Sequence, residues 1–243
     1  HCIDRFSEDI DITFTEHLGE ARRKKLKYKI LKPIADDLGL VIRNWDKIES
    51  DKDYNAYFFS YRPVAEYLND AIRPEVKLET ALVSYAFPTE IKKVSSLSYE
   101  YLSIDNENIV LQYGLQPFDM RVQSLNRTFV DKVFALCDYY MEGKAKRYSR
   151  HLYDLYKLRK LVPIDESLLS LVSEVRKHRN SLPVCPSAKP EIDVHKLIYE
   201  FCNKDFYKAD YETITDYFIS ETILYEKVIC NMKEIADQLF IPR

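Results

Sequence analysis

Two aspartates separated by a single residue, Asp9 and Asp11, are the side chains in this sequence best spaced for chemistry. In an extended strand residues two apart project from the same face. Asp9-Ile10-Asp11-Ile12 then sets two carboxylates side by side and sends Ile10 and Ile12 toward a core. A fixed pair of carboxylates binds hard cations such as Mg²⁺. Two such ions can stabilise the attacking and leaving oxygens of an in-line displacement at phosphorus. The same spacing also occurs on solvated strand edges, so the pair needs further partners. Glu79 is the first, because Val76-Lys77-Leu78-Glu79 alternates and puts Lys77 and Glu79 on one face. A carboxylate on a neighbouring strand would complete a two-metal site; alone, it is a surface acid.

Two further candidates lie on helical patterns. Lys132 sits in TFVDKVFALCDYY among Val130, Val133, Phe134 and Leu136. From the edge of an apolar face its ammonium can reach a triphosphate as a point charge, or it can extend to solvent. In RYSRHLYDLYKL, residues 147–158, Arg147, then Arg150 or His151, then Asp154 share one helical face, and Leu152, Leu155 and Leu158 supply the core side. That mixed face suits a nucleotide and an acceptor, and equally an ordinary salt-bridged surface.

The elements that must position these residues follow from periodicity. Residues 9–14 read as a half-buried strand. Residues 19–39 read as a long helix, basic in its first half through Arg22, Arg23, Lys24, Lys25 and Lys27 and kinked by Pro33. Residues 41–48 and 54–64 read as a strand pair, 74–84 as another strand, 88–103 as a segment with a short helix, and 118–123 as a last strand. Beyond residue 125 the pattern is helical throughout: 127–142 with Gly143 as its C-terminal stop, 147–161, 167–179, 194–202 and 211–239. The expected fold is therefore α+β, a mixed sheet with helices in residues 1–125, followed by an all-helical part in 126–243 that contributes Lys132 and Asp154.

Composition narrows the chemistry. The chain has 243 residues and only 4 Gly, without a Walker-type or GxGxxG pattern, so metal and basic side chains must hold any phosphate. The net charge of -3 disfavours global binding to nucleic acid but permits a local basic patch. Five widely spaced Cys without a CxxC pair read as reduced thiols of a cytoplasmic protein. No apolar run approaches the roughly 18 residues of a membrane span, and no signal peptide is visible.

Together these elements resemble a known family. Arg5-Phe6-Ser7-Glu8-Asp9-Ile10-Asp11-Ile12 resembles the RFSEDIDL signature of the AbiEii/AbiGii nucleotidyltransferase toxins. Val76-Lys77-Leu78-Glu79 resembles their second strand motif, Ser124 to Arg127 leading to Lys132 their lysine helix, and Arg150-His151-Leu152-Tyr153-Asp154-Leu155 their R(D/H)xYDL helix. The motifs occur in the family's order and cover residues 1 to about 160. The resemblance implies a DNA-polymerase-β-like nucleotidyltransferase fold and a toxin of a toxin–antitoxin or phage-defence system. It further implies transfer of a nucleoside monophosphate from an NTP to an acceptor, the tRNA 3′ end in some members. By matched position, Asp9, Asp11 and Glu79 would hold two Mg²⁺, Ser7 would touch phosphate, Lys132 would hold the triphosphate and Asp154 would set Lys132 or the nucleotide in place. Arg150 and His151 would adjoin the nucleotide. A cognate antitoxin is the implied partner. The family also has a GGTSL-type segment before the signature; the chain begins four residues before Arg5, so residues are expected to precede His1. Two other functions compete: nucleotidyl transfer to a protein hydroxyl, and a catalytically silent module that binds GTP or another nucleotide.

Overall fold

In the computed structural model, which describes residues 2–14, 16–50, 54–63, 73–82 and 87–240, the alternating segment forms strand β1, Asp9–Phe14. It runs parallel to β5, Glu75–Leu82, which is antiparallel to β4, Tyr54–Ser60. Two short strands, β2 (Val41–Ile42) and β3 (Glu49–Ser50), pair with β4, giving the order β1-β5-β4-β2. The strand expected over 41–48 is thus interrupted. Asn44 explains the break: its side chain donates to Ala56 O at 2.9 Å and accepts from Phe58 N at 3.1 Å, replacing the ladder while the backbone turns. Residues 64 and 83–84 of the expected strands lie outside the described residues.

The basic helix packs on one face of this sheet as α1 (Glu20–Lys25), a π-helical turn over Leu26–Leu31, and α2 (Lys32–Asp37). Proline lacks an N–H and its ring crowds the carbonyl four residues back. Just ahead of Pro33 the helix passes through this wider turn, with Lys32 N–H bonding Lys27 O. Gly39, at φ 64, allows the chain to leave the helix. Leu31, Ala35, Ile42, Tyr57, Phe59 and Leu78 form the small core between helix and sheet, and Ile12 packs against it. Ile10 does not: it is 52% exposed, because among the described residues β1 is the edge strand and the helical layer covers the strands beyond it.

Residues 89–123 form a separate unit. β6 (Thr89–Val94) pairs antiparallel with β7 (Phe118–Gln123), and α3 (Leu97–Leu102) and α4 (Glu107–Gln112) lie between them. β6 was not expected, since TEIKKV is charged and lacks clean alternation. β7 joins β6 and not the main sheet.

The helical part contains α5 (Leu125–Met141), α6 (Arg150–Arg159), α7 (Glu166–Arg179), α8 (Val194–Asn203), α9 (Lys208–Thr213) and α10 (Tyr225–Leu239). Ser124, Asp165 and Asp193 cap α5, α7 and α8 by accepting a backbone N–H three residues on. Their apolar faces meet in the larger core, where Phe129, Phe134, Leu155, Ile198 and Phe201 are fully buried. The single helix expected over 211–239 is broken because residues 218–220 pair instead with the chain's start. Phe6 N donates to Phe218 O at 2.7 Å, and Arg5 bridges Ile219. All five cysteines are free, and among the described residues no helix is long and apolar enough to cross a membrane.

Burial sets the mutational contrast. Leu155→Ala should cost about 2–5 kcal/mol in urea unfolding through cavity formation, whereas Ile10→Ala should cost less than about 1 kcal/mol because half its side chain already meets water.

Candidate active site

The register of β1 on β5 places Asp9 beside Lys77 and Asp11 beside Glu79. Paired residues share a face, so the two aspartates, Lys77 and Glu79 form a charged patch on the side of the sheet away from Leu78 and the helical layer. Lys77 Nζ lies 2.7 Å from Glu79 Oε1, and the Tyr54 hydroxyl of β4 donates to that same oxygen. Although Asp11 keeps an exposed edge, burial, then the charge of Glu79, then that of Asp9 raise its carboxyl above the usual range. Burial works against the Lys77 charge, but Glu79 and Tyr54 hold its ammonium above the ordinary value. The Tyr54 phenol is pushed up to about 12, by burial first and Glu79 second.

α6 brings the second group of residues. Arg150, its first residue, donates from Nη2 to Asp9 Oδ2 at 2.9 Å. Asp154, one turn on, has no solvent exposure and accepts three charge-assisted bonds: Arg5 Nε at 2.5 Å, Arg5 Nη2 at 2.9 Å and Lys132 Nζ at 2.6 Å. Burial would raise the Asp154 carboxyl, but Lys132 and then Arg5 hold it well below the usual range. Lys132 Nζ also lies 3.3 Å from His151 Nδ1. Burial, then the Lys132 charge, drive His151 down to about 4, so its ring is neutral at pH 7 and Nδ1 accepts. The ring lies parallel to Tyr139, which stacks on Tyr148 at 3.7 Å.

Asp9, Asp11 and Glu79 thus share one face, while Lys132, His151 and Asp154 form a second cluster tied to it by Arg150. Ser7 is exposed just before Glu8. Arg147 departs from the expected helical face. It lies before α6 with φ 70, and its Nη2 donates to Glu8 Oε2 at 2.7 Å. Sequence reasoning gave no role to Arg5, Glu8, Tyr54 or Asp210. Arg5 and Glu8 stand inside the eight-residue signature, which was the available signal; Asp210, whose carboxylate binds Arg147 N at 2.8 Å, had none.

Three carboxylates on adjacent strands are the hard-oxygen donors that a divalent cation takes. The repulsion that raises Asp11 is what a cation among them would relieve. In donor chemistry the set therefore fits. Among the described residues no three His, Cys, Asp or Glu side chains converge on one point: Asp9 faces Arg150, and Glu79 faces Lys77 and Tyr54.

Two stability effects follow. Removing the shared carboxylate in Asp154→Ala leaves buried cations without their partner and should cost about 3–5 kcal/mol in chemical unfolding. His151, depressed in the fold from 6.5 to about 4, contributes stability at neutral pH that is lost as pH falls from its unfolded value toward 4. Between pH 7 and 5 this loss should reach about 2 kcal/mol. His151→Asn should reduce the drop in unfolding free energy over that range; an unchanged slope would assign the acid sensitivity elsewhere.

Comparison with curated proteins gave no match, and comparison with solved structures gave none. A family model described as nucleotidyl transferase AbiEii toxin, type IV TA system, matches residues 1–228. The match runs past the resemblance read to about residue 160 and takes in α7 to α9 and the start of α10. The carboxylate patch, the lysine node and the helices behind them lie within it, and the chain therefore belongs to the AbiEii family of nucleotidyl transferase toxins of type IV toxin–antitoxin systems.

Proposed function

We propose that this chain transfers a nucleoside monophosphate from an NTP to an acceptor hydroxyl, the 3′ end of a tRNA. The observation that carries this reading is the Asp9, Asp11 and Glu79 patch joined by Arg150 to the Lys132–Asp154 node. Residues 1–125 supply the carboxylates and residues 126–243 supply Lys132 and Asp154, as two parts of one catalytic unit.

Asp9, Asp11 and Glu79 would hold Mg²⁺, which when bound supplies charge neutralisation at the reacting phosphate. Lys132, aimed by Asp154 and the neutral His151, offers its positive charge to the triphosphate. Arg150 and His151 flank the nucleotide, and the exposed Ser7 hydroxyl offers a phosphate contact at the entrance. As the acceptor oxygen bonds to the α-phosphorus, the bond from that phosphorus to the bridging oxygen breaks. Pyrophosphate leaves with that oxygen, and the acceptor proton passes to solvent.

The RNA acceptor is supported by local charge. Residues 144–160 carry seven Lys or Arg and one Asp in a chain of net charge -3, and while Arg147 and Arg150 are engaged by Glu8 and Asp9, Lys144, Lys146 and Lys160 stay exposed. Such a patch tracks a phosphate backbone, and its binding weakens steeply with salt. A cytoplasmic setting and a cognate antitoxin complete the proposal.

The test offers the protein Mg²⁺, each α-³²P-labelled NTP, total bacterial tRNA and cell protein. Label should appear on RNA and fall roughly a hundredfold or more in Asp9→Asn, Asp11→Asn and Lys132→Met. Label on protein alone would replace the acceptor and keep the chemistry. Nucleotide binding without label from any NTP would establish the silent module instead. tRNA binding indifferent to salt would count against an RNA acceptor.

A further inference from the structure

We propose that Arg147, braced by the buried Asp210, is a positioning residue for nucleotidyl transfer: it holds Glu8, and through Glu8 the start of the strand bearing Asp9 and Asp11. The proposal rests on the reading that those aspartates are catalytic.

The backbone carries the first observation. Arg147 adopts φ 70, a left-handed conformation in which a β-carbon is disfavoured. A turn that needs only to reverse direction takes glycine there, as Gly143 does four residues earlier at φ 69. A long cation in that conformation therefore has to be held by its surroundings, and Asp210 does so. Its Oδ1 accepts from Arg147 N at 2.8 Å, and its Oδ2 from Ser149 N at 3.2 Å and Ser149 Oγ at 2.7 Å. Ser149 Oγ also lies 2.7 Å from Thr215 Oγ1, and Ser149, Asp210 and Thr215 are all buried.

The brace fixes where the guanidinium points. Arg147 Nη2 donates to Glu8 Oε2 at 2.7 Å, beside the Phe218 ring. Glu8 Oε1 accepts from Arg73 N at 2.9 Å, and Glu8 O accepts from Lys77 N at 2.8 Å. Glu8 is thus held at three points immediately before Asp9, whose carboxylate is held in turn by Arg150. Two arginines three residues apart grip two consecutive acids, and the strand that carries the carboxylate pair cannot shift along β5 without breaking both contacts.

Glycine separates this role from a turn requirement, because it favours φ 70 and removes the guanidinium. In Arg147→Gly relief of the left-handed backbone offsets part of the cost of the lost Glu8 contact, so the melting temperature should fall only slightly. The kcat for labelled-nucleotide transfer should fall roughly tenfold to a hundredfold with KM for NTP near wild type. Arg147→Lys should recover part of the loss, and adding Glu8→Gln to Arg147→Gly should cost little more, since both remove one interaction. Arg147→Asn, which also tolerates a left-handed backbone, serves if the glycine variant does not fold. Full activity in Arg147→Gly beside an inactive Asp9→Asn would overturn the proposal. So would a rise in KM at constant kcat, which would make Arg147 a substrate contact. Activity retained in Asp9→Asn would instead overturn the catalytic reading of the patch.

Discussion

A carboxylate without solvent contact, Asp154, is the point on which the site geometry depends. Burying an isolated carboxylate is costly enough that it must be paired and hydrogen-bonded. Asp154 satisfies that demand with two cations from different places: Arg5, in the segment leading into β1, and Lys132, on α5. Because Asp154 itself sits on α6, one buried group fixes three elements relative to one another. Moving any of the three side chains breaks at least one charge-assisted bond to this buried carboxylate.

That constraint is what makes Lys132 a directed charge. An exposed lysine samples many rotamers, and ordering it on a substrate costs entropy. Here Asp154 and His151 hold Lys132 Nζ from one side while 16% of the side chain stays exposed. The depression of His151 belongs to the same design. A protonated ring beside Lys132 would repel it, so burial and the lysine charge together keep the ring neutral and accepting. On the sheet the balance is opposite in sign. Arg150 and Lys77 engage Asp9 and Glu79, and burial, with the remaining charge of Glu79 and Asp9, raises the Asp11 carboxyl.

Much of this was legible in the sequence where the cause is local. Period-two alternation identified β1 and β5 and the shared face of Lys77 and Glu79, and helical periodicity identified α5 to α8. The signature around Asp9 carried the family. What escaped has its cause far along the chain. Ile10 was expected in the core, but its exposure depends on β1 being the edge strand. The strand over 41–48 stops because Asn44 bonds β4, and the helix over 211–239 stops because residues 218–220 meet residues 4–6. Arg147 was assigned to a helix because its side-chain type continued the pattern; only Asp210, 63 residues away, explains its left-handed backbone.

Those distant causes converge on one region. Phe218 binds the backbone of Phe6, Ser220 binds Asp4, Tyr153 donates to Asp4 O, and Asp210 sets the arginine that holds Glu8. The residues preceding the carboxylate strand are therefore held chiefly by helical elements and their connections, while the sheet holds the strand itself through β5. Among the described residues β1 has β5 as its single neighbour, and so one ladder to fix its register. Side-chain and backbone contacts from the helical part supply the second restraint. The position of Asp9 and Asp11 is thus a property of the whole chain, and the helices function as the rigid support that an exposed edge strand otherwise lacks.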